Sequence, residues 1–167
     1  MSPRQRSRTG LGAVPQVLIL VGLLACTRGE SQRNTSTAPD EAAIRQMASD
    51  YTGAIEAGDR DKFLTFYAED IVIMPPGQPV MRGRQAAAGF AGPLFDQFKM
   101  QEKITYDDLR VDGDWAAGRF SYTFSVTPKS GGTTSTEVGK AMVWLKRTGD
   151  GSWKFSHWIW NQDQAPK

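Results

Sequence analysis

Residues 118–126 read GRFSYTFSV, and this short stretch decides the class of fold. Aromatic or aliphatic side chains stand at every second position from Phe120 to Val126, with Ser or Thr between them. A period of two predicts a strand with one apolar and one polar face, because successive side chains point to opposite sides. Similar patterning predicts longer strands at about 100–111, 115–127, 135–147 and 153–161.

Two glycine-containing turns separate these strands. Asp112-Gly113-Asp114 lies between the first two, and Thr148-Gly149-Asp150-Gly151 lies between the last two. Glycine supplies the positive φ that tight hairpin turns need. We therefore expect an antiparallel meander in the second half of the chain.

The first half of the chain predicts helices. Asp40 is expected to cap a first helix that ends at Gly58, and Asp59 to cap a second, shorter one. A third helix is expected from Arg84 to Phe98, ended or kinked by Pro93. The first helix would bury Ile44, Met47, Tyr51, Ala54 and Ile55; the second would bury Phe63, Phe66 and Tyr67. Short strands are expected at 71–74 and 80–82. Helices followed by a meander indicate an α+β domain with helices on one face of a curved antiparallel sheet.

The N-terminus has the pattern of an export signal. Arg4, Arg6 and Arg8 precede an apolar run from Leu11 to Ala25 that is short for a membrane span. Leu23-Leu24-Ala25-Cys26 resembles the lipobox of bacterial lipoproteins, whose cysteine is acylated and becomes the new N-terminus. We predict a signal peptide at 1–25 and lipidation at Cys26. A plain signal peptide and a retained signal anchor are the alternatives.

Cleavage would change the charge balance of the chain. The whole sequence has 20 basic and 18 acidic residues, which gives a net charge of +2. Three of the basic residues lie in the predicted signal, so the mature chain would have 17 against 18 and a net charge of −1. This balance does not favour nucleic-acid binding.

These features divide the chain into four parts. We predict a signal peptide at 1–25, a polar tether at 26–39, a folded domain at 40–163 and a tail at 164–167. Acylation would anchor the domain to a bacterial membrane, the outer membrane in a Gram-negative cell, with the domain in the periplasm or outside.

Several stretches in the domain resemble the nuclear transport factor 2-like superfamily, and within it the SnoaL-like and ketosteroid-isomerase-like domains. They are YTGAIEAGD at 51–59, FYAED at 66–70, Pro76-Gly77 leading to Arg82-Gly83-Arg84, and GSWKF at 151–155. The resemblance covers nearly the whole predicted domain. It implies a cone in which three helices close one side of a strongly curved sheet around a pocket, and it implies a homodimer.

The pocket implied by this resemblance would be largely aromatic. Tyrosine hydroxyls and tryptophan N–H groups would orient a ligand in it, although each of these residues could instead fill the core. The predicted pocket residues are Tyr51, Tyr67, Met74, Phe90, Phe120, Tyr122, Phe124, Val143, Trp158 and Trp160.

The resemblance also allows a test for isomerase chemistry, which uses a carboxylate base, a tyrosine and a protonated carboxyl group. Tyr51 matches the oxyanion tyrosine of ketosteroid isomerases and is the best catalytic candidate. Met74 occupies the position of the base and Val143 that of the second acid, and neither can exchange a proton. The isomerase mechanism is therefore disfavoured.

Other polar residues have simpler interpretations. His157, the sole histidine, alternates with Trp158 and Trp160 and should face away from the pocket. Asp70 is interpreted as a turn or cap residue and Asp163 as an exposed charge near the C-terminus. The acidic residues at 107–114 are interpreted as a solvated turn, so we predict no metal site and no cofactor.

Three functions remain open. The leading hypothesis is a membrane-anchored lipoprotein whose cone binds a small hydrophobic molecule without an assigned reaction. The second is an isomerase- or cyclase-like enzyme that uses Tyr51 with an unidentified acid or base. The third is a dimeric protein-interaction module, with Trp144 in its interface.

Overall fold

The computed structural model describes residues 37–163. The predicted signal peptide, Cys26 and the tail at 164–167 lie outside these residues. Three helices and six strands make up the domain: α1 (Ala38–Ala57), α2 (Arg60–Thr65), β1 (Tyr67–Met74), β2 (Met81–Arg82), α3 (Arg84–Gln97), β3 (Phe98–Asp112), β4 (Trp115–Pro128), β5 (Ser135–Arg147) and β6 (Trp153–Gln162). Within 37–163, no helix has both the length and the hydropathy needed to span a membrane.

The six strands form one sheet in the order β2-β1-β6-β5-β4-β3. The predicted meander is confirmed, since β3, β4, β5 and β6 pair antiparallel with their neighbours in sequence. One pairing departs from the prediction of an antiparallel sheet: β1 lies parallel to β6, with Val72 opposite His157. The long connection between β1 and β6 permits a parallel pair, which a short hairpin turn cannot form.

Alternation along the long strands divides the sheet into an inner and an outer face. On β5, Gly139, Ala141, Val143 and Leu145 are buried, and the residues between them are exposed or partly buried. The inner face packs against the helices through a core whose most buried side chains are Phe120, Phe155, Ile44, Ile71, Leu145 and Val143.

The first helix packs on this face as the periodicity predicts. Ile44, Met47, Tyr51, Ala54 and Ile55 are all buried. Gly58 ends the helix in the left-handed region at φ 70°, where its N–H binds the carbonyl of Ile55. Asp59 then caps α2 by accepting a hydrogen bond of 2.9 Å from the Lys62 amide. Gly58 thus ends the first helix and the next residue, Asp59, caps the start of the second, so the two helices are joined by only two residues.

Two local predictions are wrong. Asp40 does not cap α1; it lies in the first turn of the helix, and its carboxylate binds Arg147 at 2.7 Å. Tyr67 is not on the second helix but opens β1, because it pairs with Phe155 of β6. Of the two effects expected of Pro93, it does not end α3, which continues to Gln97. The Arg60 guanidinium donates to the carbonyl of Ala88, in the turn that precedes this proline.

Candidate ligand-binding site

A cavity of about 320 Å³ lies between the helices and the inner face of the sheet. Its volume is in the range of small-molecule sites. One wall is α3, which contributes Ala87, Phe90, Ala91 and Leu94 at helical spacing. The other walls come from α1, α2, β1 and the inner faces of β3 to β6.

Aromatic rings form the deep part of this cavity. Tyr51 from α1 lies at its centre, with ring centroids 5.2 Å from Phe63 and 5.4 Å from Trp158. Phe63 in turn packs 5.0 Å from Phe95 of α3. At the outer part, Phe90 is 6.3 Å from Trp160. The tilted and edge-on packing of these rings gives a rigid apolar wall.

Two tyrosine hydroxyls lie within this aromatic wall. The Oη atoms of Tyr51 and Tyr67 are 3.3 Å apart, and either one can donate to the other. Burial raises the pKa of both hydroxyls well above the ordinary value of a tyrosine. Both therefore stay protonated at neutral pH. One hydroxyl hydrogen is used within the pair, which leaves the other to donate to a ligand.

Glu102 of β3 also lines the cavity. It lies in phase with Met100 and Ile104 on the inner face, and its side chain is partly buried. Within residues 37–163, its carboxyl group forms no hydrogen bond. Desolvation by burial, together with the neighbouring charge of Glu137, raises the pKa of Glu102 to about 8. This carboxyl group is therefore largely protonated at neutral pH.

Glu137 of β5 is the second carboxyl group of the cavity, and it is held in place. Tyr122 Oη donates to its Oε1 at 3.0 Å, and the Gln162 amide donates to its Oε2. These two donors suit the ionised form, which only accepts hydrogen bonds. Gly139 makes room for this network, because a Cβ there would stand 2.6 Å from the hydroxyl of Tyr122.

The cavity brings together seven of the ten predicted pocket residues. They are Tyr51, Tyr67, Phe90, Tyr122, Phe124, Trp158 and Trp160. The other three lie elsewhere. Phe120 and Val143 are fully buried in the core behind the cavity. Met74 pairs with the exposed Ile159 and follows the inward-facing Ile73, so it lies on the outer face of the sheet.

Sequence reasoning missed both carboxyl groups, although alternation marks them. Glu102 falls between Met100 and Ile104 in a period-two pattern. Glu137 occupies the same phase as Gly139, Ala141 and Val143. A carboxyl group on the inner face of a strand is a signal in itself, because acidic residues are rarely buried without a reason. Met74 and Val143 match the positions of the base and the second acid of ketosteroid isomerases, and neither position is that of Glu102 or Glu137.

The remaining polar candidates lie away from the cavity. His157 faces outward and packs 5.6 Å from the ring of Trp144. Asp70 pairs with Lys146 at 2.6 Å, and Asp163 pairs with Lys140. Asp107 accepts from Arg119 at 2.9 Å. Among residues 37–163, no group of three or more His, Cys, Asp or Glu side chains could hold a metal ion.

Comparison with known families agrees with this architecture. Residues 36–159 match the family described as the SnoaL-like domain, which is most of the chain. The chain belongs to this family. The SnoaL-like match begins at the start of α1 and ends within β6, so it includes all of the residues that line the cavity except Trp160 and Gln162. No curated protein matches the sequence.

Solved structures place this SnoaL-like domain among nuclear transport factor 2-like folds. A conserved protein from Planctomyces limnophilus DSM 3776 superposes with a TM-score of 0.70 at 22 % identity, over 75 % of this chain and 98 % of that one. A nuclear transport factor 2-like superfamily protein from Salmonella enterica serovar Typhimurium LT2 gives 0.68 at 16 %, over 79 % and 96 %. A ketosteroid isomerase-like protein from Erwinia carotovora atroseptica SCRI1043 gives 0.64 at 22 %, over 74 % and 96 %. At these identities the likeness shows the fold alone.

Proposed function

We propose that the SnoaL-like domain binds a small, mostly apolar molecule in its cavity. The observation that carries this proposal is an aromatic cavity of about 320 Å³ with a few polar groups directed into it. Apolar walls supply affinity by removing ligand surface from water. The hydroxyls of Tyr51 and Tyr67 and the carboxyl group of Glu102 would select and orient the ligand.

A binding experiment with a cavity-filling variant tests this proposal. Ala87 is buried and lines the cavity, so Ala87→Leu would occupy part of its volume. Ala86, one position earlier on α3, does not line it, and Ala86→Leu is the matched control. Neutral aromatic probes such as naphthol and phenethyl alcohol would be titrated by calorimetry. We expect at least tenfold weaker binding to Ala87→Leu and little change with Ala86→Leu. Equal affinity for both variants, or no binding to the wild-type domain, would overturn the proposal.

A second candidate function is proton transfer on a bound carbonyl compound. The observation that favours it is Glu102, whose pKa of about 8 suits a general acid or base near neutral pH. In this reaction Glu102 would take a proton from the carbon beside the carbonyl, while Tyr51 or Tyr67 donates to the carbonyl oxygen. The ketosteroid isomerase-like neighbour makes enolisable ketones reasonable probes.

Deuterium exchange separates this second function from binding alone. An enolisable aromatic ketone incubated with the domain in deuterated buffer should exchange its α-hydrogens faster than in buffer, as followed by NMR. Glu102→Gln should abolish the acceleration. If the ketone binds without faster exchange, proton transfer is excluded for that substrate class and the binding function stands.

We further propose that the domain forms homodimers through the outer face of its sheet. Val72 and Met74 of β1 lie beside His157 and Ile159 of β6, which in turn lie beside Trp144 and Met142 of β5. Three of these side chains, Met142, Trp144 and Ile159, are large, apolar and exposed. Such a continuous patch is typical of an interaction surface. A single species of monomer mass at high concentration in sedimentation analysis would contradict this proposal.

Export and lipid attachment at Cys26 also remain proposals, and they rest on the lipobox-like sequence before this cysteine. Mass spectrometry of protein extracted from its own membrane tests them directly. We expect a mature chain that begins at Cys26 and has the added mass of acyl chains. An unmodified Cys26 in membrane-extracted protein would exclude the anchor.

A further inference from the structure

The cavity combines aromatic rings with acidic groups and contains no basic residue. Nine of its 18 lining residues are aromatic, two are glutamates, and none is Lys, Arg or His. Aromatic faces attract cations through the negative charge of the ring face, and carboxylates attract them directly. The composition of the wall therefore favours a positively charged ligand group over a neutral or a negative one.

The register of the sheet brings the two carboxyl groups to either side of one aromatic ring. Glu102 of β3 lies opposite Phe124 of β4, and Phe124 lies opposite Glu137 of β5. Directly opposed residues on neighbouring strands share a face of the sheet. Strands are about 4.8 Å apart, so the two glutamate backbones are separated by roughly 10 Å, with the ring of Phe124 between them. Both side chains line the same cavity, and the charge of Glu137 acts on the carboxyl group of Glu102, so one cationic group in the cavity would face both.

The two carboxyl groups differ in what already binds them. Glu137 accepts hydrogen bonds from Tyr122 and Gln162 and is fixed in orientation. Glu102 forms no hydrogen bond within residues 37–163, although it faces an apolar cavity. A group of this kind is costly to bury in its charged form unless a partner arrives. A ligand cation would supply that partner.

We propose that the natural ligand is an amphiphilic amine, with its apolar part among the rings and its ammonium group held by Glu102 and Glu137. This inference rests on the proposed binding function and adds the charge of the ligand. Three N–H donors of a primary ammonium group can meet the free carboxyl group of Glu102 and the remaining lone pairs of Glu137. The ring of Phe124 would contact the same cation from the sheet side.

Binding of a cation must then be linked to the release of a proton. Without ligand, the pKa of Glu102 is raised to about 8, so this group holds its proton at pH 7. The ammonium group binds the ionised form, which becomes more abundant as the pH rises through 8. Affinity for the amine should therefore increase with pH and level off above 8, as long as the amine itself stays protonated.

Other titratable groups surround Glu102, and none of them cancels this expectation. Tyr51, Tyr67 and Tyr122 face it from α1, β1 and β4, and all three have raised pKa values and stay neutral in this range. Glu102 also borders a second, more open depression that is lined by basic and hydroxyl side chains, and none of these forms an ion pair or hydrogen bond with Glu102. They are Arg45, Ser49, Thr52, Lys103, Thr105 and Tyr106. Arg45 instead lies over the ring of Tyr106, at 5.6 Å from its centroid.

The experiment compares three probes that share one ring: phenethylamine, phenethyl alcohol and phenylacetate. Calorimetric titrations at about pH 6.5 and 8.5 should show the amine binding about 25-fold tighter at the higher pH, because only the ionised Glu102 pairs with it. At the higher pH the amine should also bind at least tenfold tighter than the alcohol. Repeating the titration in buffers of different ionisation enthalpy should show release of close to one proton at about pH 7.

Two variants test whether the carboxyl group of Glu102 causes the pH-dependent binding of the amine. Glu102→Gln should remove both the pH dependence and the proton release, and should reduce amine affinity to near that of the alcohol. Glu56→Gln, at an exposed carboxyl group on α1 outside the cavity, is the matched control and should leave the titrations unchanged. Two results would overturn the amine assignment and leave the binding function intact. In the first, the alcohol binds as tightly as the amine or tighter; in the second, phenylacetate binds tightest of the three. Failure of all three probes to bind would overturn both.

Discussion

Replacing Glu102 by glutamine should stabilise the ligand-free domain, and the gain should grow with pH. In the folded state the pKa of this carboxyl group is about 8, against an ordinary value of 4.5. Below pH 4.5 both the folded and the unfolded chain hold the proton. Between 4.5 and 8 the unfolded chain loses it while the folded chain keeps it, so the free energy of unfolding falls as the pH rises. Above 8 this contribution is constant. A glutamine side chain cannot ionise, so the variant lacks the penalty.

The size of this effect follows from the shift. Each pH unit of a pKa difference corresponds to about 1.4 kcal/mol, so a shift from 4.5 to about 8 sets an upper limit of about 5 kcal/mol. Water entering through the open mouth reduces the penalty, and we expect about 2 kcal/mol between pH 5 and 8.5. The glutamine amide brings N–H donors that have no partner at this site, but their cost does not change with pH and cancels when the two pH values are compared.

Urea unfolding of the wild-type domain and of Glu102→Gln at both pH values measures this difference. Glu56→Gln serves as the control for the removal of one exposed carboxylate. Carbon-13 NMR of the glutamate carboxyl groups would give the pKa directly. The reasoning is refuted if the stability difference between Glu102→Gln and wild type is the same at both pH values, or if the Glu102 resonance titrates below pH 5.5.

Three further predictions concern residues that surround the cavity. Gly139→Ala should weaken ligand binding and lower the unfolding free energy by about 1–3 kcal/mol, because the new methyl group meets the backbone carbonyl oxygen of Asn161 on β6 and the hydroxyl of Tyr122; calorimetry and urea unfolding measure the two effects. Phe120→Ala should cost about 3–5 kcal/mol in urea unfolding, since the ring is fully buried behind the cavity, and a loss below about 1 kcal/mol would contradict its place in the core. Arg84→Ala removes two hydrogen bonds, of 3.1 and 2.7 Å, to the carbonyl of Tyr67 and should cost about 1–2 kcal/mol; unchanged stability would show that water replaces them.

The sequence predicts the strands of the meander almost to the residue. Expected strands at 115–127, 135–147 and 153–161 correspond to Trp115–Pro128, Ser135–Arg147 and Trp153–Gln162. These strands are half-buried and joined in sequence, so alternation and turn residues describe them fully. Local periodicity places Tyr67 on a helix instead of a strand, because its strand is defined by a partner about 90 residues away, which no local pattern can indicate.

The aromatic part of the site can also be predicted from the sequence, but its acidic part is missed. Tyr51 and Trp158 follow from helical and strand periodicity, and both line the cavity. Phe120 and Val143 have the same inward phase, yet they fill the core, because periodicity gives the direction of a side chain and not its depth. Glu102 is missed when candidate acids are sought at the positions that ketosteroid isomerases use. It is found when every acidic residue on the inner face of a strand is considered.

The parallel pairing of β1 with β6 has a consequence for the stage of folding at which the cavity forms. Tyr67 and Phe155 are partners in this pairing, and the cavity takes residues from both strands. The N-terminal half of the chain is synthesised first. The pocket therefore cannot form from α1, α2 and β1 until β6, the last strand, has been synthesised and has paired with β1. A ligand of the proposed kind can therefore bind only after the whole chain is synthesised. Its binding stabilises the product of the last folding step and not the earlier intermediates. We expect bound ligand to slow unfolding more than it speeds refolding.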